Sequence, residues 1–457
     1  MSVSRIPTPE YLARLADGTV KQVNPFSGTQ VWTVPGRGHR PLGIVRADPK
    51  KLDPADEGRY CAFCSDRYPD TPPEKSRLVL ERGQWTQHDW VSRQELTNST
   101  AEFRRIPNLF EILSYDYWHA NYGYELATDN ITARDRYLAD PAGREHVLGV
   151  VRQRLAAGGR TPSEIEELTD EELLEYATGF FGGGHDVIVA RRHYVDGATT
   201  DDELAGSGTL TPEEHYRYIK FTAGAAESLY AQNRYVRYVA VFQNWLKPAG
   251  ASFDHLHKQL VAIDERGVQN EHELQVVRNN ANIYNEAATN YAGYQNLVIA
   301  ENEHAIAFAG FGHRYPTLEI YSRSTAIMPW QHTDAEIRGV SDLVHACHAA
   351  TGTDVPCNEE WYYRPLDSDV AMPWRVMLKW RVSTLAGFEG GTKIYLNTLD
   401  PWAIRDRVVP KLYELREAGK IADMRIATEC ECRPNSLRYN PLLGGGRPVP
   451  RPATEQS

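Results

Sequence analysis

The stretch Ala251–Leu260, ASFDHLHKQL, contains the residue types best suited to chemistry. His255 and His257 are one residue apart, and Gln259 follows two residues later. If the stretch is a strand, these three side chains share one face, because successive side chains of a strand point to opposite faces. The pattern fits a metal site, a nucleophile with a hydrogen-bonding helper, or polar residues on a half-exposed strand. The stretch alone leaves these three interpretations open.

Two upstream cysteines, Cys61 and Cys64, are separated by two residues. A Cys-x-x-Cys turn can place two thiolates on one Zn²⁺ at about 2.3 Å each, and a structural zinc ion takes four protein ligands. The sequence has no second pair with this spacing, so the missing ligands would have to be histidines from elsewhere. A redox pair and two unrelated thiols are the alternative interpretations.

Two loops carry residues that suit a phosphate ligand. Arg37 and Arg40 lie beside a glycine after the strand-like run TQVWTVP, and guanidinium groups contact phosphate oxygens in a bidentate manner. Asn244, Gly250 and Ser252 belong to the segment that leads into the histidines. Gly250 would let the backbone approach a ligand closely. Ordinary loop residues are the alternative interpretation in both places.

Composition excludes several classes of protein. The length of 457 residues is enough for two or three domains with real cores. Hydrophobic residues make up 41% and charged residues 24%, which is typical of a globular protein. A net charge of -11 argues against general nucleic-acid binding. No apolar run reaches the ~18 residues of a membrane span, and the N-terminal stretch lacks the apolar core of a secretory signal. We therefore predict a cytoplasmic protein whose six cysteines are thiols or metal ligands.

The helices that must position these residues have clear start signals. Thr211 and Thr333 each precede a glutamate by three residues, which is the capping-box spacing. A third helix begins at Asp400 and contains Pro410, which predicts a kink. The acidic segment TPSEIEELTDEELLEYATGF is also predicted to be helical.

The strand-like runs alternate with these helices in two similar blocks. They mix β-branched and aromatic residues with a period of two, as in HDVIVA, RYVRYVAVFQNW, HLHKQLVAI, TLEIYSR, WRVMLKWRV and TKIYLN. This order predicts an α+β fold of two antiparallel lobes that join near residues 265 to 295. The tail from Arg433 is rich in Pro and Gly, which predicts a surface arm or partial disorder.

Taken in order, six segments resemble the galactose-1-phosphate uridylyltransferase family of the histidine-triad superfamily. They are NPFSGTQVWTVPGRGHRP, CAFC followed by TPPE, RRIPNLF, GGGHDVIVARRH, FQNWLKPAGASFDHLHKQ and AGFEGGTKIYLN. The last of these resembles a strand-turn-strand segment of many family members. The fifth segment aligns without gaps to the family's active-site loop and its His-Pro-His-x-Gln motif. The similarity covers roughly residues 20 to 420.

The resemblance implies a role for each matching residue. His257 would be the nucleophile, and Gln259 would hydrogen-bond the phosphoryl group. One structural zinc ion per chain would be held by Cys61, Cys64, His193 and His255. Contacts to the nucleotide or its phosphates would come from Arg37, Arg40, Asn108, Asn244 and Ser252. In a homodimer, Phe388 and Glu389 would reach the active site of the partner subunit.

The chain also departs from the family pattern. Leu256 replaces the central proline of the motif, and Leu246 stands where the family often has glycine. Aligning His193 needs a one-residue deletion, so His185 is a rival metal ligand. About 45 extra residues lie between Asn108 and His185. The segment PWRVMLKWRV lacks the histidines of an accessory iron site, so we predict no second metal of that kind.

For the fold, the resemblance implies two histidine-triad-like lobes, each an antiparallel sheet with packed helices. The first lobe would span residues 1–265 with a mostly helical insert at about 115–180. The second would span 266–425, and residues 426–457 would form a tail.

For the activity, the resemblance implies transfer of a nucleotidyl group from a nucleoside diphosphate sugar to a sugar 1-phosphate, through a nucleotidyl-histidine intermediate. A phosphorylase that uses inorganic phosphate is the first alternative. A non-catalytic protein that binds nucleotide sugars is the alternative of another class. No nucleic-acid partner and no membrane partner are expected.

Overall fold

Strands and helices in the computed structural model follow the local signals, within residues 10–36, 42–44, 48–382 and 385–440, which the structure describes. The strands are β1 (Leu12–Arg14), β2 (Val20–Val23), β3 (Gln30–Thr33), β4 (Ser76–Glu81), β5 (Gln84–Asp89), β6 (Phe103–Pro107), β7 (His185–Ala190), β8 (Tyr238–Trp245), β9 (His257–Ile263), β10 (Val298–Glu301), β11 (Ala305–Ala309), β12 (Thr317–Ser322), β13 (Cys357–Tyr362), β14 (Arg375–Trp380), β15 (Ile394–Asn397) and β16 (Arg425–Ile426).

The α-helices of the same ranges are α1 (Tyr115–Tyr122), α2 (Thr128–Ala139), α3 (Pro141–Ala157), α4 (Pro162–Glu166), α5 (Asp170–Glu175), α6 (Thr178–Gly182), α7 (Pro212–Gln232), α8 (Val268–Asn279), α9 (Asn290–Tyr294), α10 (Asp334–Thr351), α11 (Gly387–Thr392) and α12 (Pro401–Glu417). The predicted capping boxes are present at the starts of α7 and α10. Helix α12 continues through Pro410. Within the described ranges, none of the helices has the length and apolar character that a bilayer crossing requires.

Packing divides the chain into two compact units. The central unit is Val45–Arg266, and the flanking unit combines Met1–Ile44 with Gly267–Ser457. The predicted limits of the lobes stay a prediction. Strand β3 pairs in parallel with β15, in the register Gln30↔Ile394, so the opening strands pack with the C-terminal half of the chain.

The central unit is built on an antiparallel sheet in the order β8-β9-β7-β6-β4-β5. Helix α7 packs against β8 and β9. Alternation along β9 turns Lys258 and Leu260 to one face and His257 and Gln259 to the other. Lys258 lies 4.7 Å from the ring of Tyr218 on α7, so the histidine face is the one that α7 does not cover.

The helical insert has a small core of its own. Helices α2, α3, α5 and α6 contribute buried side chains that include Tyr137, Val147, Val151, Leu173 and Phe181. The acidic segment forms three short helices. Capping boxes begin the first two of them, at Thr161 and Thr169. The predicted α+β fold with antiparallel sheets and an inserted helical segment is confirmed.

The flanking unit contains an antiparallel sheet in the order β16-β10-β11-β12-β14-β13 and a small sheet in the order β1-β2-β3-β15. Helix α10 packs on β11, β12 and β14. The structure corrects two sequence predictions here. The segment before β15 is helix α11, so AGFEGGTKIYLN is not a strand-turn-strand unit.

The second correction concerns the tail, which we predicted to be a surface arm or partly disordered from Arg433. Leu437 and Tyr439 are each 1% exposed. The backbone N–H of Leu437 donates to Asn285 Oδ1 at 2.9 Å, and the Tyr439 hydroxyl donates to the carbonyl of Ala281 at 2.9 Å. These apolar contacts and satisfied polar groups hold the tail to the unit as far as residue 440.

Candidate metal and phosphoryl-transfer site

Four possible metal ligands of the central unit lie within 4.8 Å of one another: Cys61, Cys64, His193 and His255. The two sulfurs are 3.8 Å apart, and Nδ1 of His255 lies 3.4 Å from Sγ of Cys61. Nδ1 of His193 lies 3.6 Å from Sγ of Cys64. A tetrahedral ion with bonds of about 2.3 Å to sulfur and about 2.0 Å to nitrogen has S···S edges near ~3.8 Å and S···N edges near ~3.6 Å. The four side chains therefore fit one tetrahedral metal ion.

Hydrogen bonds orient His255 for this role. Its Nε2–H donates to the carbonyl of Ala190 at 2.7 Å, which leaves Nδ1 without a proton and directed at the sulfurs. Strand β7 ends at Ala190, and His193 lies three residues later, beside the cysteines. His185, the rival ligand, lies at the other end of β7 and outside the cluster.

His257 is the first residue of β9, two positions after the metal-cluster histidine. Its Nδ1–H donates to the carbonyl of His255 at 2.7 Å, so the lone pair of the ring is on Nε2. Burial lowers the pKa of His257 to about 4. The ring of Phe63 packs edge-on at 5.3 Å between centroids. His257 is thus a neutral imidazole held in one tautomer.

Gln259 belongs to a short hydrogen-bonded row with His185. The backbone N–H of Ile112 donates to Nδ1 of His185 at 3.2 Å, so Nε2 carries the proton. That Nε2 lies 3.1 Å from Oε1 of Gln259 and 3.0 Å from Nδ2 of Asn108. The Oε1 atom of Gln259 accepts the hydrogen bond from His185. The NH₂ group of Gln259 is then the donor that it offers on the sheet face shared with His257.

The loop between β8 and β9 has an unusual backbone at Leu246. Its φ of 66° and ψ of 155° fall in a region that only glycine adopts without strain. The carbonyl of Leu246 accepts from the N–H groups of Ala249 and Ala251 at 3.0 and 3.3 Å, which holds the turn closed. Leu246 thus keeps the backbone conformation that glycine would favour, although its side chain is 6% exposed.

The other predicted contacts are placed as follows. Asn244 is at the end of β8, and Ser252 is exposed in the loop that follows. Phe388 and Glu389 belong to the flanking unit on α11, where Phe388 is 43% exposed and a Glu389 carboxylate oxygen accepts from the N–H of Ala386 at 3.1 Å. Arg37 and Arg40 lie outside the described residues.

Residues 15–439 match the protein family described as "Domain of unknown function (DUF4921)". The chain belongs to this family. An ADP-glucose phosphorylase from Arabidopsis thaliana is 26% identical over 185 residues, which are 37% of this chain and 51% of that protein. The aligned stretch therefore spans about half the length of the curated relative.

Solved structures with a similar fold include an ADP-glucose phosphorylase from Arabidopsis thaliana with bound ADP-glucose. It has a TM-score of 0.53 at 18% identity and covers 86% of this chain and 98% of its own. A GalT-like protein from the same plant has a TM-score of 0.52 at 18% identity and covers 85% of this chain and 98% of its own. These likenesses show that the chain has the fold of these two proteins.

Sequence reasoning missed two residues of the site. It considered His185 only as a metal ligand, whereas the structure places it against Gln259. It gave no role to Phe63, which lies between the two cysteines and packs on His257. The register Val187↔Gln259 places His185 and Gln259 on one face of adjacent strands. The sequence indicates this pairing of β7 with β9 only weakly.

Proposed function

We propose that this chain transfers a nucleotidyl group from a nucleoside diphosphate sugar through a covalent intermediate on His257. The proposal depends above all on one observation, the hydrogen bond from His257 Nδ1–H to the carbonyl of His255. It leaves Nε2 as the basic nitrogen, and no hydrogen-bond partner for Nε2 occurs among the described residues. A polar face with one fixed nucleophile suits displacement at phosphorus.

In the first step, Nε2 of His257 attacks the α-phosphorus. A nitrogen–phosphorus bond forms, the bond to the bridging oxygen breaks, and the sugar 1-phosphate leaves with the electron pair. In the second step, an oxygen of the acceptor attacks the same phosphorus, and the imidazole leaves with its lone pair restored. The NH₂ group of Gln259 would donate to a non-bridging oxygen, where such a donor typically contributes about 10²–10³ in rate.

Two acceptors fit this scheme, a sugar 1-phosphate and inorganic phosphate. The relative found by sequence is named ADP-glucose phosphorylase, and this supports inorganic phosphate as the acceptor and an adenine nucleotide as the donor base. Our sequence-based hypothesis favoured a sugar 1-phosphate. The substitutions at Leu246 and Leu256 set the chain apart from the uridylyltransferase pattern, which is compatible with the phosphorylase alternative.

The metal ion of the cysteine–histidine cluster is proposed to be a structural zinc ion. Two thiolates and two imidazoles are a ligand set that zinc prefers, and four protein ligands leave no position for substrate. His255 is a ligand and also the acceptor of the His257 hydrogen bond. The cluster would therefore fix the nucleophile through the backbone. The homodimer and the cytoplasmic location stay predictions.

The proposal is tested by product analysis with ADP-, UDP- and GDP-glucose, each with inorganic phosphate or galactose 1-phosphate. We expect glucose 1-phosphate and a nucleoside diphosphate from at least one donor with inorganic phosphate. Products that form only with the sugar phosphate would identify a transferase. Tight binding of a donor without products from either acceptor would favour the non-catalytic alternative.

A further inference from the structure

The flanking unit contains a second polar cavity, of about 320 Å³, on the face of its sheet that α10 does not cover. Strands β12, β14 and β13 present rows of facing residues there, including Thr317↔Lys379↔Asn358 and Glu319↔Met377↔Glu360. The walls come from the segment at residues 24–29 and the loop at 312–315. The lining residues that the structure describes all belong to the flanking unit.

One glycine allows these two walls to meet. Gly312 has a φ of 68°, and a Cβ atom there would lie 2.1 Å from the backbone nitrogen of Asn24. The N–H of Gly312 donates to Oε1 of Gln22 at 3.0 Å, and Nδ2 of Asn24 donates to the carbonyl of Phe311 at 3.2 Å. Two hydrogen bonds thus hold the loop that contains Arg314 against the segment at residues 22–24.

The carboxylates around the cavity already have polar partners. Glu360 pairs with Lys379, and Glu273 pairs with Arg375. Nε2 of His313 lies 2.7 Å from Oε1 of Glu319. These three carboxylates are therefore engaged with groups other than Arg314 and Arg381, and two of them pair with a full positive charge.

Two arginines in the lining remain. Among the described residues, neither Arg314 nor Arg381 has a carboxylate partner within 4.0 Å, the limit for an ion pair. Both guanidinium groups lie over the ring of Tyr315, at 5.1 Å for Arg314 and 4.7 Å for Arg381. Arg381 Nη1 donates to Asn358 at 2.7 Å, and its buried Nε has no hydrogen-bond partner. The two charges without a carboxylate partner both lie beside Tyr315 at the wall of the cavity, which favours an anion.

The remaining surface of the cavity limits what that anion can be. Aromatic faces that could stack on a base are already covered: Arg314 lies over Tyr395, and Phe26 stacks on Tyr284 with 4.7 Å between centroids. The lining also contains hydroxyl and amide groups that can bond to ligand hydroxyls, among them Ser27, Thr29 and Gln269. A volume of about 320 Å³ is at the lower end of small-molecule sites.

We propose that this cavity binds a phosphate monoester of a small polyhydroxylated molecule, a sugar phosphate in chemical class, with its phosphate held by Arg314 and Arg381. Guanidinium groups match the geometry of phosphate oxygens, and the hydroxyl and amide groups of the lining would bond to the rest of the ligand. The site is independent of His257 and of the proposed reaction. It would be a second site at which a phosphorylated sugar binds the protein, in addition to the proposed reaction site.

The test is hydrogen–deuterium exchange of the full chain carrying His257→Asn, which removes the proposed covalent step. Glucose 1-phosphate is the probe, with glucose, sulfate and AMP as comparisons. We expect glucose 1-phosphate to slow exchange at residues 311–319 and 375–382, whether or not it affects 257–263. Exchange at 257–263 reports the proposed reaction site, so the two proposals can fail separately.

Variants of the two arginines make the test specific. Arg314→Met and Arg381→Met should each weaken the protection at least about tenfold in ligand concentration, the loss expected for a charge-assisted hydrogen bond. Arg407→Met removes an exposed arginine of the same unit and should change nothing. Arg314 is itself exposed, so its substitution leaves the fold intact. The proposal is overturned if protection is absent, if it survives Arg314→Met, or if sulfate or AMP protects as well as glucose 1-phosphate.

Discussion

The two units each have a polar sheet face on the side away from a packed helix, and the two faces are organised differently. On the central sheet, the polar groups facing one another are neutral, namely His257, Gln259 and His185. On the flanking sheet, the groups are ionised and paired, as in Glu360 with Lys379. Although burial opposes it, Lys379 holds the pKa of Glu360 below its usual value.

This difference separates two kinds of chemistry. A nucleophile needs an uncharged lone pair, and the hydrogen bonds at His257 leave one on Nε2. The flanking face consists mainly of ion pairs, and we propose that the additional Arg314 and Arg381 attract an anion there. We therefore expect substitutions on the central face to change turnover and those on the flanking face to change ligand binding.

The largest expected effect is that of His257→Asn. Without the nucleophile, turnover of a nucleoside diphosphate sugar should fall by at least ~10⁴-fold. His88→Asn, which changes an exposed histidine of β5, is the matched control and should keep full turnover. Steady-state assays of the two variants check this. Retention of more than about one percent of turnover in His257→Asn would contradict the assignment.

Loss of the metal ion should be the next largest effect. Cys64→Ser should release about one zinc ion per chain and lower the free energy of unfolding by several kcal/mol, because metal binding is coupled to folding. Cys432→Ser changes a half-buried thiol of the flanking unit and should retain the metal. Elemental analysis and urea denaturation measure both. A metal-free Cys64→Ser protein of unchanged stability would refute a structural role.

His185→Phe should have an intermediate effect that identifies a positioning residue. It removes the hydrogen bond to Gln259 and should lower kcat by about 10-fold to 100-fold with little change in KM. The metal content should stay at the wild-type level, whereas His193→Ala should lower it. If His185→Phe loses the metal instead, the ligand set is wrong.

Glu111 gives the central unit a distinctive pH dependence. Burial raises the pKa of Glu111 to about 7, against 4.5 for the ordinary group. A group with a raised pKa contributes most to stability below its unfolded pKa, and this contribution is lost as pH rises through the folded pKa. Relative to Glu111→Gln, the wild type should lose about 2 kcal/mol between pH 5.5 and pH 8.5. A pH-independent difference between the two proteins in urea denaturation would contradict this.

Leu246 offers the smallest and most local test. Leu246→Ala truncates the side chain and keeps the backbone strain, whereas Leu246→Gly removes the side chain and also relieves the strain. The glycine variant should therefore be more stable than the alanine variant by about 1–2 kcal/mol in urea denaturation. Equal stability would mean that the φ of 66° carries no strain in this loop.

The comparison also shows what the sequence could predict. The spacing of Cys61 and Cys64 is a short motif that indicates a pair of metal ligands, whereas only the family resemblance implied His193 and His255 as the other two. The choice between His185 and His193 depended on a gap, and only the end of β7 at Ala190 resolves it. The capping boxes at Thr211 and Thr333 were predictable because they are local.

The cavity of the flanking unit was not predictable in the same way. Its walls come from segments near Asn24, Arg314 and Tyr395, which are 290 residues (314 − 24) and 81 residues (395 − 314) apart along the chain. The burial of Leu437 depends on a partner, Asn285, that no local pattern indicates. Long-range pairing of this kind appears only in the folded chain.

The central claim is tested most directly by intact mass spectrometry of the chain mixed with ADP-glucose in the absence of an acceptor. We expect a mass increase of one nucleotidyl group that fragmentation locates on His257. The adduct should be absent from His257→Asn and should be discharged by inorganic phosphate or a sugar 1-phosphate. An adduct on another residue, or turnover of ADP-glucose without any adduct in rapid-quench samples, would contradict it.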